Sequence, residues 1–384
     1  MLRASALVSL ALLMLLAPAA PAAEKTDRWT PVVASVVAAP ETVLASDGRV
    51  HLAYELLLIN RSFNPPAKVT VTGVQARAGG KVLSSLSGEG LAAVMVRMST
   101  ARPGVELAPG EAAYLLMDVT FKKGAKLPQR LSHRISIAVE PPNATVATTY
   151  AAAPTGVSDR PAVVIAPPLR GNGWLVTNGC CAELTSHRSA LLPVNGGLEA
   201  SERYAIDFVQ LQPNGMIADG PYDQLTSYPF FGDEVLSVAA GRVVTVVDRY
   251  PETPAGDLPP TTAEAAGGNH VVVAIGEGRY AFYAHLQPGS AKVKVGDRVK
   301  AGQQIGRLGS SGNSNLPHLH FHVMDGPLPL ASNGVPYRFS EFGLAGKLTN
   351  FPGLFEDQAA QITPVRQAQR RAQLPLNLQM IDFE

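Results

Sequence analysis

One stretch of the sequence alternates histidine with apolar residues, and it constrains the fold more than any other. It reads Pro317-His318-Leu319-His320-Phe321-His322-Val323. Side chains two positions apart on a β-strand share a face, so this spacing predicts a strand with the imidazoles on one face and core residues on the other. Neutral imidazole is the commonest metal ligand, so the pattern by itself fits a metal site and a solvated histidine-rich strand equally well.

The composition allows a real core and gives no sign of a nucleic-acid surface. The chain has 384 residues, of which 46% are apolar and 16% charged, with a formal net charge of +1. This length suits two domains of ordinary size. A nucleic-acid surface would need an excess of basic residues, so we expect no nucleic-acid partner.

The N-terminus has the pattern of a cleavable signal. Met1-Leu2-Arg3 supplies a positive charge, the apolar run from Ala6 to Leu16 is short for a membrane span, and Ala20-Pro21-Ala22 fits a cleavage site. Residues 1–23 are therefore predicted to be a secretory signal peptide, the alternative being an uncleaved anchor. We expect a periplasmic or secreted protein that does not span the membrane after cleavage.

Beyond the signal, short apolar runs broken by Gly and Pro predict an all-β protein. Residues 24–150 fit a β-sandwich-like accessory domain. Residues 151–172, rich in Ala, Pro, Thr and Gly, fit a linker. A second β domain is expected over residues 173–345. Residues 346–384 are expected to form a tail, with one possible helix in its Gln- and Arg-rich part.

Asp207 and His285 add to the candidate site. Asp207 is the one acid in an otherwise apolar run, Tyr204 to Val209. A buried carboxylate needs a partner, which is either a cation such as Arg203 or a metal. Histidine and aspartate ligands with an open position for water form a catalytic zinc site. His285, at a strand end, is suited to act as a base or to stabilise a transition state, and His270 lies at a strand edge or faces the same groove.

Four stretches of the second domain, taken in order, carry a family pattern. They are Ala205-Ile206-Asp207-Phe208, Gly232 through Val243, Tyr283 through Gly306, and Gly309 through Phe321. Their order and spacing resemble the lysostaphin-type (LytM-type) zinc metallopeptidases, which cleave peptide cross-links in peptidoglycan. The resemblance covers about residues 200–325, and the combination of motifs is highly specific.

The resemblance implies a fold of the duplicated-hybrid-motif type, a compact antiparallel β domain with an open groove. It implies Zn²⁺ as the cofactor, with His320 and Asp207 as ligands and His318 and His285 as the catalytic pair. In the family, zinc polarises the scissile carbonyl and activates a water, while the two non-ligand histidines accept a proton and stabilise the oxyanion. The implied partner is a peptidoglycan peptide or another peptide substrate.

The sequence departs from the family at one ligand position. The family's first ligand is a His four residues before the Asp, and that position is Arg203 here. A guanidinium stays protonated and cannot bind zinc. His187 is the best substitute, on a run that would pair with the Asp207 strand if the chain turns at Asn195-Gly196-Gly197. His322 is the alternative substitute, and Arg203 would pair with Asp207 or with an anionic substrate group.

Two further features leave alternatives open. The only cysteines, Cys180 and Cys181, are adjacent, which excludes a disulfide framework. Three alternatives follow: the two cysteines form a strained bridge, they are a structural or redox-linked pair, or one of them binds metal. Residues 248–268 form a Pro-, Gly- and Thr-rich insertion between two strands, which would be able to remodel the groove.

These features support three functional hypotheses. The first is a zinc-dependent endopeptidase that acts on peptidoglycan cross-links. The second, which Arg203 supports, is a catalytically inactive relative that binds the cell wall or activates a hydrolase. Three of the four motif histidines are present, which favours the enzyme. The third is a peptidase that acts on proteins. The N-terminal domain is expected to be a partner-binding, inhibitory or targeting module.

Overall fold

The computed structural model describes residues 27–259 and 261–384, and within them the chain is almost entirely β. The expectation of an all-β protein is confirmed. The predicted signal peptide, residues 1–23, lies outside the described residues. In the described part of the chain, no helix has the length and apolarity that a bilayer crossing requires.

The N-terminal region consists of strands and one short helix. In chain order these are β1 (Val32–Val36), β2 (Thr42–Leu44), β3 (Arg49–Asn60), β4 (Lys68–Ala78), β5 (Lys81–Ser87), α1 (Gly88–Ala92), β6 (Met95–Arg97), β7 (Arg102–Pro103), β8 (Glu106–Leu107), β9 (Ala112–Lys122), β10 (Arg130–Glu140) and β11 (Thr149–Gly156).

These strands form a sandwich of two sheets. One sheet has the order β1-β3-β9-β6-β7, with β2 also paired to β3, and the other has the order β11-β10-β4-β5, with β8 paired to β4. Leu52, Tyr54, Leu56 and Leu58 of β3 lie in the core that the two sheets enclose. Because successive strand residues point to opposite faces, the residues between them point away from this core.

The second region is also built from strands, with two 3₁₀ helices at Leu225–Ser227 and Phe351–Phe355. The strands are β12 (Val163–Ile165), β13 (Gly171–Thr177), β14 (Leu191–Val194), β15 (Gly197–Ala200), β16 (Ile206–Gln210), β17 (Glu234–Leu236), β18 (Gly241–Val247), β19 (Asn269–Gly276), β20 (Arg279–Leu286), β21 (Arg298–Val299), β22 (Gln304–Arg307), β23 (Leu319–Met324), β24 (Gly334–Val335), β25 (Tyr337–Leu348), β26 (Ile362–Gln373) and β27 (Gln379–Phe383).

Most of these strands join one large sheet, in which the histidine strand β23 is central. The order is β12-β25-β27-β13-β16-β23-β20-β19-β18-β21, with β24 paired to β23 and β26 to β25, while β14–β15 and β17–β22 form small separate sheets. Leu319, Phe321 and Val323 of β23 lie in the main core, as the alternation predicts. The histidines between them therefore share the opposite face.

The segments expected to be a linker (151–172) and a tail (346–384) contain strands of these sheets. β11 extends a sandwich sheet, and β12 pairs in parallel with β25. The helix expected near the C-terminus is wrong, because β26 pairs with β25, and β27 lies between β13 and β25. Ile381 and Phe383 of β27 are buried in the main core. Partners remote in sequence decide this pairing, so local composition does not reveal it.

The sandwich packs directly against the large sheet. Ala53 of β3 points away from the sandwich core and lies in the core of the second region. Arg279 of β20 donates to Glu41 Oε2 at 2.5 Å, and the arginine is 2% exposed. Leu374 N donates to Leu44 O at 3.0 Å. The two regions therefore share a buried, partly ionic interface.

Candidate metal centre and active site

Three buried side chains, His187, Asp207 and His320, bring potential metal-ligating atoms within 4.8 Å of one another. His187 Nε2 is 3.2 Å from Asp207 Oδ2, and His320 Nδ1 is 3.0 Å from Asp207 Oδ1. Two imidazoles and a carboxylate are a donor set that catalytic zinc sites use, with the fourth position left open for water. These are the three residues that the sequence suggested as ligands.

Strand pairing sets Asp207 and His320 opposite each other. Asp207 on β16 is the direct cross-strand partner of His320 on β23. Asn178 Nδ2 donates to Asp207 Oδ2 at 2.8 Å, and Thr177 Oγ1 donates to the Asp207 carbonyl oxygen at 2.9 Å. Both bonds come from β13 or the residue after it, so three neighbouring strands fix the position of the carboxylate.

The residues after His187 do not pair with the Asp207 strand, so that expectation is wrong. β14 pairs with β15 instead, with Val194 opposite Gly197. The connecting residues Asn195 and Gly196 have positive φ angles of 52° and 81°, as a type I′ turn requires. A two-residue turn closes this short hairpin on itself, and the hairpin lies apart from the large sheet.

His187 reaches the site from a turn that precedes this hairpin. Residues 186–189 form the turn. Thr185 stabilises it, because Thr185 Oγ1 accepts a hydrogen bond from Arg188 N at 3.1 Å and donates to Asn178 O at 3.1 Å. The segment that carries His187 is thus tied back to the residue that orients Asp207.

Two further histidines, His285 and His318, lie side by side next to this group, with ring centroids 4.6 Å apart. His285 Nδ1 is 2.8 Å from Ser311 O, and His318 Nδ1 is 2.9 Å from Leu316 O. A carbonyl oxygen can only accept, so each Nδ1 carries a proton, and the neutral form of each ring has its lone pair on Nε2. His318 Nε2 is 3.4 Å from Asp207 Oδ1. Both rings can therefore accept a proton through Nε2.

His285 has an unusual backbone conformation. Its φ angle is 60°, in the left-handed region that non-glycine residues seldom adopt. The backbone N–H of His285 donates to Gly267 O at 3.0 Å, which ties it to the end of the 248–268 insertion. Backbone strain of this kind persists where the surrounding structure holds it, and it is common at functional sites.

His322 and His270 lie close to the group but outside it. His322 is 1% exposed, and its Nδ1 is 2.9 Å from His320 Nε2. His322 therefore contacts a suggested ligand rather than joining Asp207. His270 Nδ1 donates to Gly268 O at 2.8 Å, and the His270 side chain lines the groove.

Arg203 was expected to pair with Asp207 or with an anionic substrate group. Both expectations are wrong, because the side chain pairs with Glu55 and does not line the groove. It is 3% exposed, and its Nε donates to Glu55 Oε2 at 2.9 Å and Oε1 at 3.1 Å. Glu55 belongs to β3 of the sandwich and is fully buried. A forked guanidinium matches a carboxylate, and burial makes such a pairing necessary.

Cys180 and Cys181 are joined to each other by a disulfide, which excludes metal ligation by a free thiolate in this structure. Both are buried, between Asn178 and the His187 turn. The bridge between neighbours is thus the alternative that the structure bears out.

The metal-ligating group and the histidine pair both line a groove of about 730 Å³. Residues of the 248–268 insertion, the 327–331 loop and the Phe351–Phe355 3₁₀ helix contribute to its walls. Leu258, Leu328 and Phe355 are exposed apolar side chains among the lining residues. The insertion does shape the groove, as its length suggested.

Burial and neighbouring charges shift the pKa values of His187 and His285 in opposite directions. Burial disfavours a charge on His187, but the Asp207 carboxylate raises the pKa of His187 to about 9. Burial opposes ionisation of Asp207 as well, yet His187 and His318 hold its pKa well below the usual range. Burial, together with His318 and His320, lowers the pKa of His285 well below its ordinary value. The site thus holds an ionised carboxylate beside a neutral His285.

The donor set fits a divalent metal ion. The three donors converge on a small volume, and two flank the same carboxylate, one on each oxygen. Without a metal, a proton on His187 balances that carboxylate. A divalent cation in this position would displace the proton and satisfy the same negative charge. His187, Asp207 and His320 are therefore the residues that would hold zinc.

Three residues at this site were not predicted from the sequence: Asn178, Arg188 and Glu55. Glu55 had a detectable signal, since it is a lone acid in the apolar run from residue 52 to 59. The same signal singled out Asp207. Asn178 and Arg188 lie in irregular segments with no periodic pattern, and their roles depend on contacts with distant parts of the chain.

A family model described as Peptidase family M23 matches residues 228–333. This range contains His285, His318 and His320 but begins after Asp207 and His187.

Glycyl-glycine endopeptidase ALE-1 of Staphylococcus capitis is 51% identical over 59 residues, 15% of this chain and 16% of ALE-1. Lysostaphin of Staphylococcus simulans is 34% identical over 113 residues, 26% of this chain and 22% of lysostaphin. The chain thus spans less than a quarter of the length of these curated relatives.

The solved catalytic domain of the antimicrobial peptidase lysostaphin from Staphylococcus simulans is 22% identical, with a TM-score of 0.24, and the match covers 48% of this chain and 92% of that domain. The resemblance found in the sequence is confirmed by the family model and the relatives: this chain contains a Peptidase family M23 domain, matched over residues 228–333, and is homologous to lysostaphin and ALE-1.

Proposed function

We propose that this protein is a zinc-dependent endopeptidase that hydrolyses peptide bonds in peptidoglycan cross-links. The observation that carries the proposal is the juxtaposition, in one groove, of the His187, Asp207 and His320 donors with the His285–His318 pair. Metal-assisted hydrolysis of a peptide bond uses a Lewis acid and groups that exchange protons, and this groove offers residues for each.

The donor residues and the histidine pair have different roles. Zn²⁺ held by His187, Asp207 and His320 would supply polarisation of the scissile carbonyl and a lowered pKa for bound water. In its neutral form, each ring of the His285–His318 pair has its lone pair on Nε2, because each Nδ1 donates to a backbone carbonyl. One ring of the pair accepts the proton of the attacking water. A protonated ring then donates from Nε2 to the oxyanion or the leaving amine.

Two observations and one sequence prediction support the substrate class. ALE-1 carries the name glycyl-glycine endopeptidase, which describes cleavage of a peptide bond. Apart from its histidines and acids, the groove is lined by apolar and small polar side chains, which suits a peptide substrate. The predicted signal peptide would deliver the protein to the periplasm or the exterior, where peptidoglycan lies.

Metal analysis tests the first half of the proposal. We expect one zinc per chain in carefully purified wild-type protein, and loss of that zinc in both His187→Ala and His320→Ala. His270→Ala is the matched control, since His270 lines the same groove but lies outside the donor set. Wild-type protein that binds no zinc would overturn the peptidase proposal.

Turnover of purified peptidoglycan tests the second half. We expect the wild type to release peptide-bond cleavage products, and His318→Ala to retain zinc but lose turnover. The second candidate function is a catalytically inactive relative that binds the cell wall or activates a hydrolase, and it is motivated by Arg203 at a family ligand position. Zinc binding without any turnover by the wild type would favour that candidate.

A further inference from the structure

Three buried charged side chains form an ionic triad, Arg188–Glu55–Arg203, between the sandwich and the large sheet. Glu55 is 0%, Arg188 1% and Arg203 3% exposed. Arg188 Nη1 donates to Glu55 Oε1, and Arg203 Nε donates to Glu55 Oε2 at 2.9 Å. Glu55 is thus the shared acceptor of two guanidinium groups, and burial leaves each of them dependent on it.

The two arginines are next to the metal-ligating residues along the chain. Arg188 directly follows His187, and Arg203 lies four residues before Asp207. Glu55 comes from β3, which is separated from Arg188 by 133 residues and from Arg203 by 148. A carboxylate of the sandwich therefore reaches both segments that supply ligands.

Arg188 also braces the segment that carries His187. Its Nε donates to Cys181 O at 3.0 Å, and its Nη2 donates to Met117 O of β9 at 3.4 Å. On the far side of the turn, Tyr114 of the same strand donates from its hydroxyl to Ser189 O at 3.1 Å. The His187 turn has no strand pairing with the large sheet, so these contacts with the sandwich take the place of a sheet ladder.

We propose that Glu55 is a positioning residue for the metal ligand His187, acting through Arg188, so that the sandwich completes the metal site of the peptidase region. The inference rests on the metal site of the proposed function. Glu55 touches neither metal nor substrate. It fixes the guanidinium of Arg188, and through it the turn that holds His187 against Asp207.

The test compares two interfacial carboxylates in the full-length protein. Glu55→Gln removes the charge of the triad. Glu41→Gln removes the charge of the buried Glu41–Arg279 pair, which joins the same two regions through β20. For each variant, cobalt(II) affinity is measured by chelator competition, the visible absorption of the bound cobalt is recorded, and thermal unfolding is followed.

We expect Glu55→Gln to weaken cobalt binding by about 10- to 100-fold, the usual range for residues that orient metal ligands, and to alter the cobalt spectrum. Glu41→Gln should lower the unfolding temperature but leave affinity and spectrum at the wild-type values. Wild-type affinity and spectrum in folded Glu55→Gln would overturn the positioning role. Absence of cobalt and zinc binding in the wild type would instead overturn the metal site itself.

A second pair of variants tests the positioning of His187 through Arg188 if Glu55→Gln does not fold. Arg188→Lys and Arg203→Lys both keep a positive charge beside Glu55, but a lysine has no planar fork. Only Arg188→Lys also loses the donor to Cys181 O beside the His187 turn. We expect weakened cobalt binding and a changed spectrum in Arg188→Lys, and wild-type values in Arg203→Lys. Equal, wild-type binding in both would overturn the inference.

Discussion

His322 Nδ1 lies 2.9 Å from His320 Nε2, while the other nitrogen of His320 lies 3.0 Å from Asp207 Oδ1. His320 thus presents one nitrogen to the donor set and the other to a buried histidine. A metal-bound imidazole is oriented by the acceptor that its other nitrogen meets, and with His320 Nδ1 on a metal, His322 Nδ1 would accept from His320 Nε2.

Removal of this acceptor should weaken metal binding without removing a ligand. We expect His322→Ala to lower zinc affinity by about 10- to 100-fold, because His320 then loses the partner that sets its orientation. His322→Asn is the matched variant, since its amide oxygen can accept in place of Nδ1, and it should retain most of the affinity. Chelator competition measures both. Equal affinities in His322→Ala and the wild type would contradict this role.

Asn178 should support zinc binding by orienting the carboxylate of Asp207. Its Nδ2 donates to Asp207 Oδ2 at 2.8 Å, the oxygen that also faces His187. Asn178→Ala should lower zinc affinity by about tenfold or more, because the carboxylate loses its orienting donor. Asn313→Ala, at another asparagine of the groove, is the control. The prediction fails if the two variants bind zinc equally well.

Zinc binding should release a proton from His187 at neutral pH. In the metal-free protein the pKa of His187 is raised to about 9, so this imidazole is protonated at pH 7 and must lose its proton to bind metal. Apparent zinc affinity should therefore rise with pH up to about 9 and then level off. Calorimetry in buffers of different ionisation enthalpy counts the released protons. A proton release that does not change between pH 7 and pH 10 would rule this out.

Glu252 should make the stability of the folded protein depend on pH. Burial raises the pKa of Glu252 to about 7, although Ser310 N donates to its carboxylate at 2.7 Å. The folded state thus favours the protonated acid, and stability falls as pH rises from the unfolded pKa, about 4.3, through 7. Glu252→Gln should raise the unfolding temperature at pH 8 more than at pH 4. An equal change at both pH values would contradict the assignment.

Gly268 should be needed for catalysis through its contact with Ser311. Its φ angle is +55°, and an added Cβ would lie 2.3 Å from Ser311 O, the acceptor that fixes the His285 ring. Gly268→Ala should displace that carbonyl and lower kcat, by about 100-fold for a shift near 1 Å, with zinc retained. Gly276→Ala is the control, because its φ is also positive, at +97°, but its Cβ would meet no atom within 4 Å. Similar losses in both variants would point to backbone strain alone.

Much of the site could be predicted from the sequence because its signals are local. The alternation around His320 sets three histidines on one face of a strand, since side chains two apart point the same way. The lone acid at Asp207 marks a buried carboxylate that needs a partner. His285 lies at the end of a strand in a motif that the family shares. Each of these signals occupies a few consecutive residues.

The tertiary structure alone decided how Arg203 is accommodated and how His187 reaches Asp207. The first depends on Glu55, which is 148 residues away, and the second on a turn with no periodic pattern. The C-terminal strand β27 likewise gains its place between β13 and β25 from partners that are distant in sequence. Residue spacing encodes which face of a strand a side chain occupies. Contacts between remote segments depend on sheet order and packing, which local spacing does not specify.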